Sequence, residues 1–199
     1  MSDQKLRELE RHWRETGSVE DEAAYLRERV RVGDLTQERL ELAAYCGHEG
    51  AMICLGLPSL ESPCDGLRLA KDLAVWGPDV LLWLAVLAIE SLGRDHPELQ
   101  RSVQSMRAWL ESPTPTRLAE VREMAGRAAS LWQEELASGN IQSAATARSL
   151  SDLAAAVGTP GLQARVETVG WLVERASALP IRQLGVWALD SARYPTLGP

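Results

Sequence analysis

The chain has 199 residues, 45% of them hydrophobic and 25% charged, with a net charge of −7. That length supports one sizeable domain with its own core, and that composition excludes disorder for most of the chain. The negative balance argues against nucleic acid and anionic membrane as partners, because both call for a positive field.

Basic residues are almost all arginine, with Lys5 and Lys71 the only lysines, which fits a GC-rich bacterial genome. Phe is absent while Trp occurs seven times, so tryptophan must fill core volume that phenylalanine usually takes. Three cysteines, Cys46, Cys54 and Cys64, leave one unpaired in any monomer, as expected in a reducing compartment. Residues 1–15 are charged and lack an apolar signal core, and the longest apolar run, 80–89, is far short of the roughly 20 residues that span a bilayer. A cytoplasmic protein without membrane contact is the expectation.

Helix signals then follow one another along the chain. Leu6, Leu9 and Trp13 share one face of a charged first helix that Gly17 stops. Ser18 suits the N-cap of a second, whose apolar stripe is Val19, Ala23, Leu26 and Val30, and Gly33 ends it. Thr36 caps a third helix running to Cys46, Gly47 stops it, and a short fourth covers 51–55. Residues 57–65, with Pro58 and Pro63, read as a loop.

A helix over about 66–76 follows, stopped by Gly77, and Pro78 suits the first turn of the next. Residues 80–89 are apolar on every side, which predicts a central, buried helix. Leu99, Val103, Met106 and Leu110 form a one-face stripe, broken at Pro113 and Pro115. Thr116 is expected to cap a long helix with Leu118, Val121, Ala125, Ala128, Trp132 and Leu136 on one face. Asn140 caps a helix to Val157, another carries Val166, Val169, Leu172, Val173 and Ala176, and a short last one lies near 184–189.

The pattern predicts an all-α fold of about ten helices in antiparallel pairs, an irregular helical-repeat-like bundle without a fixed period. Charge density is highest in the first quarter. The expected organisation is therefore a charged N-terminal cap over 1–56 docked on the rest, a main bundle over 66–190 and a frayed tail over 191–199.

No known catalytic motif occurs: there is no phosphate-cradling Gly-rich loop, no nucleophile elbow and no paired metal histidines. Cys46, His48, Cys54 and Cys64 lie close in sequence, but their gaps do not fit structural zinc, and buried small hydrophobes explain the cysteines. The expectation is no metal, no cofactor and no enzyme activity. Arg27, Arg29 and Arg31 share their segment with Glu20, Asp21, Glu22 and Glu28, so pairing on helix surfaces accounts for them without nucleic acid.

Asp34 to Ala51 form a motif-like stretch. A capped helix followed by a Gly turn explains it locally; read functionally, Asp34, Arg39, Tyr45 and His48 border a recognition surface for another protein. Trp83, Trp109, Trp132 and Trp171 fall on or near helix stripes and read as core or boundary. Trp76 and Trp187 lie near helix ends, where an exposed aromatic can anchor a partner.

The stretch from Gly33-Asp34-Leu35 through Cys46-Gly47-His48-Glu49-Gly50-Ala51, with Val19-Glu20-Asp21-Glu22-Ala23 and Leu26-Arg27-Glu28-Arg29-Val30 before it, resembles helical proteins of myxobacteria and similar GC-rich bacteria over residues 1–56. That resemblance implies a lineage and no function. From Asp95 to Trp132, the spacing of Pro97, Ala108-Trp109-Leu110 and the Ala-rich 124–132 helix is similar to immunity proteins of bacterial polymorphic toxin systems. This chain departs from that pattern at His96-Pro97 and at Ser102-Val103-Gln104-Ser105, and no binding residue carries over.

The leading expectation is a non-enzymatic protein-binding or adaptor protein, in its sharper form an immunity-type protein that occupies a toxin. The alternative is an enzyme or cofactor-binding protein with a pocket between helices.

Overall fold

Local capping chemistry sets each element in the N-terminal part of the computed structural model, which describes residues 2–58, 66–92, 96–156, 162–176 and 179–190. Helix α1 spans Ser2–Thr16 and stops at Gly17. The Ser18 hydroxyl accepts from the Asp21 N–H at 3.3 Å and opens α2, Val19–Val32. Glu20, Asp21 and Glu22 occupy its positive first turn and Arg29 and Arg31 its negative last turn. Gly33, at φ 81°, closes α2 in the left-handed conformation that a glycine adopts without steric cost. Thr36 caps α3, Gln37–Tyr45, and His48 caps α4, Glu49–Leu55.

The remaining elements are α5, Gly66–Leu73, continued by a 3₁₀ turn at Ala74–Trp76; α6, Pro78–Leu92; α7, Pro97–Glu111; α8, Pro115–Ala137; α9, Ile141–Ala156; α10, Leu162–Ala176; and α11, Leu179–Leu189. The fold is all-α, with eleven helices and no strand among the described residues.

Two compact units divide the chain. The first holds α1 to α4 together with α11 from Ile181 onward. Its first two helices run antiparallel, because their contacts step inward from both ends: Lys5 meets Glu28 at 3.1 Å and His12 meets Asp21 at 3.5 Å. Helix α11 is held by two buried arginines. Arg29 Nη1 donates to the Leu189 carbonyl at 2.7 Å and Arg39 Nε to the Ala188 carbonyl at 2.9 Å. Gly185 lets it approach α3 closely, since a Cβ there would stand 3.0 Å from Cys46 Cβ.

The second unit holds α5 to α10. Helix α6 packs against α7 and α10, and every residue from Val80 to Ile89 is buried, as its all-round apolar character predicts. Helices α5 and α10 cross at Gly66 and Gly170, where a Cβ on Gly170 would fall 2.7 Å from Leu67 Cα. Helices α8 and α9 pack along their length as an antiparallel pair, with the Ser151 hydroxyl donating to the Ala125 carbonyl at 3.0 Å. Tryptophans work here together with arginines: Arg107 lies 5.7 Å from the Trp83 ring, Arg148 lies 5.0 Å from Trp132 and Arg175 lies 4.4 Å from Trp171.

Several expectations change. The cap of α8 is Thr114, not Thr116: its hydroxyl accepts from the Arg117 N–H at 3.3 Å, leaving Pro115 to start the helix without a wasted donor. Leu136 is 52% exposed and Leu131 takes its place in the core, because the stripe drifts around a helix of 23 residues. Helix α11 belongs with the N-terminal helices, so the first unit is larger than 1–56 and the main bundle shorter than 66–190. Cys64, most of the 57–65 loop and the 191–199 tail lie outside the described residues.

Candidate functional site

The first unit carries an open cleft of about 550 Å³. One stripe from each of three helices lines it. Leu6, Glu10, Trp13 and Arg14 come from α1, and Glu22, Tyr25, Leu26 and Arg29 from α2. Both sets recur at three- and four-residue intervals, which puts them on single helix faces. Val186 and Leu189 come from α11, and Asp34, His48 and Asp190 from the ends of neighbouring segments.

Trp13 and Tyr25 stack across the α1–α2 seam, with ring centres 5.4 Å apart and planes at 16°. Arg29 sits 5.7 Å from the Tyr25 ring centre. The same arginine donates from Nε to Asp34 Oδ2 at 2.6 Å, so one guanidinium ties the aromatic wall, the α2–α3 turn and the end of α11 together. Burial pushes the Tyr25 hydroxyl above its ordinary pKa, with Arg29 pulling the other way. Arg14 donates to Glu10 at 2.6 Å. The cleft is therefore part apolar and part charged, with most of its charge held in internal pairs.

Gly47, His48 and Gly50 have separate local duties around this cleft. Gly47, at φ 82°, makes the turn. His48 Nδ1 accepts from the Ala51 N–H at 3.4 Å, and its Nε2 faces Glu22 Oε1 at 3.7 Å, an ion pair when the imidazole is protonated. Gly50 makes room for Glu22, since a Cβ there would come within 3.0 Å of the Glu22 side-chain carbons.

Of the residues singled out from sequence, Asp34 and His48 meet in this cleft. Arg39 does not line it: the side chain is 8% exposed and turned to the α11 carbonyl. Tyr45 is half-buried at the end of α3, outside the lining. Trp76 is half-buried in the 3₁₀ turn of the second unit. Trp187 is 7% exposed, contrary to its expected exposure, because Arg29 and Arg39 hold the last turn of α11 by the carbonyls beside it. Glu22, Tyr25 and Arg29 were missed as site residues. Their signal was a second periodic face on α2, amphipathic rather than apolar, beside the core stripe.

Cys46 is buried and its thiol is pushed up to about 12, while burial also raises the half-buried Cys54. Among the described residues, no group of three or more His, Cys, Asp or Glu side chains is placed to hold a metal ion, and no helix is long and apolar enough to cross a membrane.

Fold and site define an all-α protein with an amphipathic cleft built on its N-terminal helices. Compared with known protein families, with curated proteins and with solved structures, the chain finds no match in any of the three.

Proposed function

We propose that this chain is a non-enzymatic binding protein that takes a segment of another protein in the cleft of its first unit. The observation that carries this reading is the composition of that wall: a stacked Trp13–Tyr25 pair beside Arg29, with Leu6 and Val186 on the same opening. Tryptophan, tyrosine and arginine are the side chains enriched at the energetic centres of protein interfaces. Val186 is 61% exposed at the cleft, an apolar side chain that a partner would cover. An immunity-type protein occupying a toxin is the sharper form of this proposal; the resemblance that suggests it, over 95–132, lies in the second unit and supplies no residue of the cleft. A small-molecule site is the second reading, favoured by a volume inside the usual range of about 300–1,000 Å³ for such pockets.

Affinity capture with the full chain, followed by reconstitution with the purified partner, tests the proposal. Val186→Arg places a long charged side chain on an exposed position, so the fold should be kept and partner affinity should fall at least tenfold. Gln183→Arg, also exposed on α11 and outside the cleft lining, should bind as the wild type does. Full partner affinity in Val186→Arg overturns the cleft as the binding surface. Stabilisation by a metabolite, abolished in Val186→Arg, supports the small-molecule reading instead.

A further inference from the structure

The charges in the cleft specify what kind of segment enters it. Four carboxylates line it, Glu10, Glu22, Asp34 and Asp190, against two guanidiniums, Arg14 and Arg29. Both guanidiniums are already committed to carboxylates within the cleft, Arg14 to Glu10 at 2.6 Å and Arg29 to Asp34 at 2.6 Å. Arg29 is further engaged by the Leu189 carbonyl at 2.7 Å. An anionic ligand would have to break charge-assisted hydrogen bonds of this kind, which are the strong ones. Glu22 faces an imidazole instead, at 3.7 Å, so its charge is the less fully matched.

A further feature favours a cation. The aromatic wall offers ring faces of the kind on which this chain already places its own guanidiniums, at Tyr25 in the first unit and at Trp83, Trp132 and Trp171 in the second. An arginine or lysine side chain entering beside Trp13 would lay its methylene stem on the indole and bring its charged head toward Glu22.

On the reading that the cleft binds a partner protein, we propose that the bound segment is basic, presenting an arginine or lysine side chain to Glu22 and to the Trp13–Tyr25 wall. The partner surface is then cationic and the net charge of −7 assists its capture by long-range attraction.

Isothermal titration of the full chain with acetylated hexa-arginine, hexa-lysine and hexa-glutamate peptides at low salt tests this. The two basic peptides should bind and the acidic one should not. Glu22→Gln should weaken hexa-arginine about tenfold. Glu123→Gln, which removes the same charge from an exposed site on α8, should leave it unchanged. Because Glu22 packs on Gly50, Glu10→Gln serves as a second variant should Glu22→Gln melt early, and the same weakening is expected. Equal weakening by Glu123→Gln would reduce the effect to general charge attraction and overturn the proposal, as would tighter binding of hexa-glutamate. If Val186→Arg loses the native partner while Glu22→Gln and Glu10→Gln keep it, the basic-segment inference fails and the binding cleft stands. If Val186→Arg keeps the partner, the cleft reading fails first.

Discussion

Glu28 shows how much a single side chain does in this protein. It sits on the α1-facing side of α2, buried, and accepts from Arg31 at 2.6 and 2.8 Å and from Lys5 of α1 at 3.1 Å. The Arg31 guanidinium, with Lys5 helping, holds the Glu28 carboxyl down at about 2. In the unfolded chain this carboxyl returns to about 4.3. Between those values the unfolded chain binds the extra proton, so the stability Glu28 contributes is complete above about 4.3 and is lost as the pH falls through about 2. Glu28→Gln should therefore lower stability at pH 7 and show a shallower further loss than the wild type between pH 4.3 and 2. Urea unfolding at a series of pH values measures both; parallel curves for the two proteins would contradict the assignment. Arg39 belongs to the same scale. A charge singled out for a surface role is instead spent inside, on a carbonyl of α11.

At the scale of the element, two glycines on helices of the second unit carry opposite consequences. Gly170 lies where α10 crosses α5, and a methyl group there would meet Leu67 Cα at 2.7 Å, a backbone atom that cannot swing aside. Gly126 lies on α8 with open space around its missing Cβ. Alanine is the better helix former by about 1 kcal/mol at either position, which is the only effect expected at Gly126. Gly170→Ala should instead cost about 1–3 kcal/mol, because overpacking outweighs propensity. Chemical denaturation should thus find Gly126→Ala stabilised and Gly170→Ala destabilised. The same sign at both would mean that the α5–α10 crossing is looser than described.

The molecule as a whole is discontinuous in sequence: the chain builds α1 to α4, then the six helices α5 to α10, then returns to the first unit with α11. Two buried donors of the first unit, Arg29 and Arg39, find their carbonyl acceptors about 150 residues away along the chain. A chain ending at residue 180 removes those acceptors and uncovers the face of α3 next to Gly185. Arg29 and Arg39 each lose a charge-assisted bond to the backbone, and the apolar area under α11 returns to water. Amide hydrogen exchange should then speed up in residues 19–45 and stay slow in residues 80–89. Equal protection in α2 and α3 with and without α11 would show that the first unit does not depend on its last helix.

Much of this was legible from local rules. Ser18, Gly33, Thr36 and Gly47 mark helix ends by hydrogen-bonding and backbone preferences that act within a few residues, and they act where expected. The burial of α6 follows from ten consecutive apolar side chains that have no polar face to offer water. The cleft was legible only in part. Asp34 and His48 stood out, but the face formed by Glu22, Tyr25 and Arg29 looks like any solvated helix surface until something packs beside it. The helix that packs there, α11, is too short and too far along the chain for periodicity to reveal its neighbours. Its place, the burial of Trp187 and the inward turn of Arg39 follow from hydrogen bonds and close contacts between residues distant in sequence. Caps and stripes determine which segments are helices and which faces are apolar. Only tertiary packing decides which helices share a unit and so which charged faces become a site.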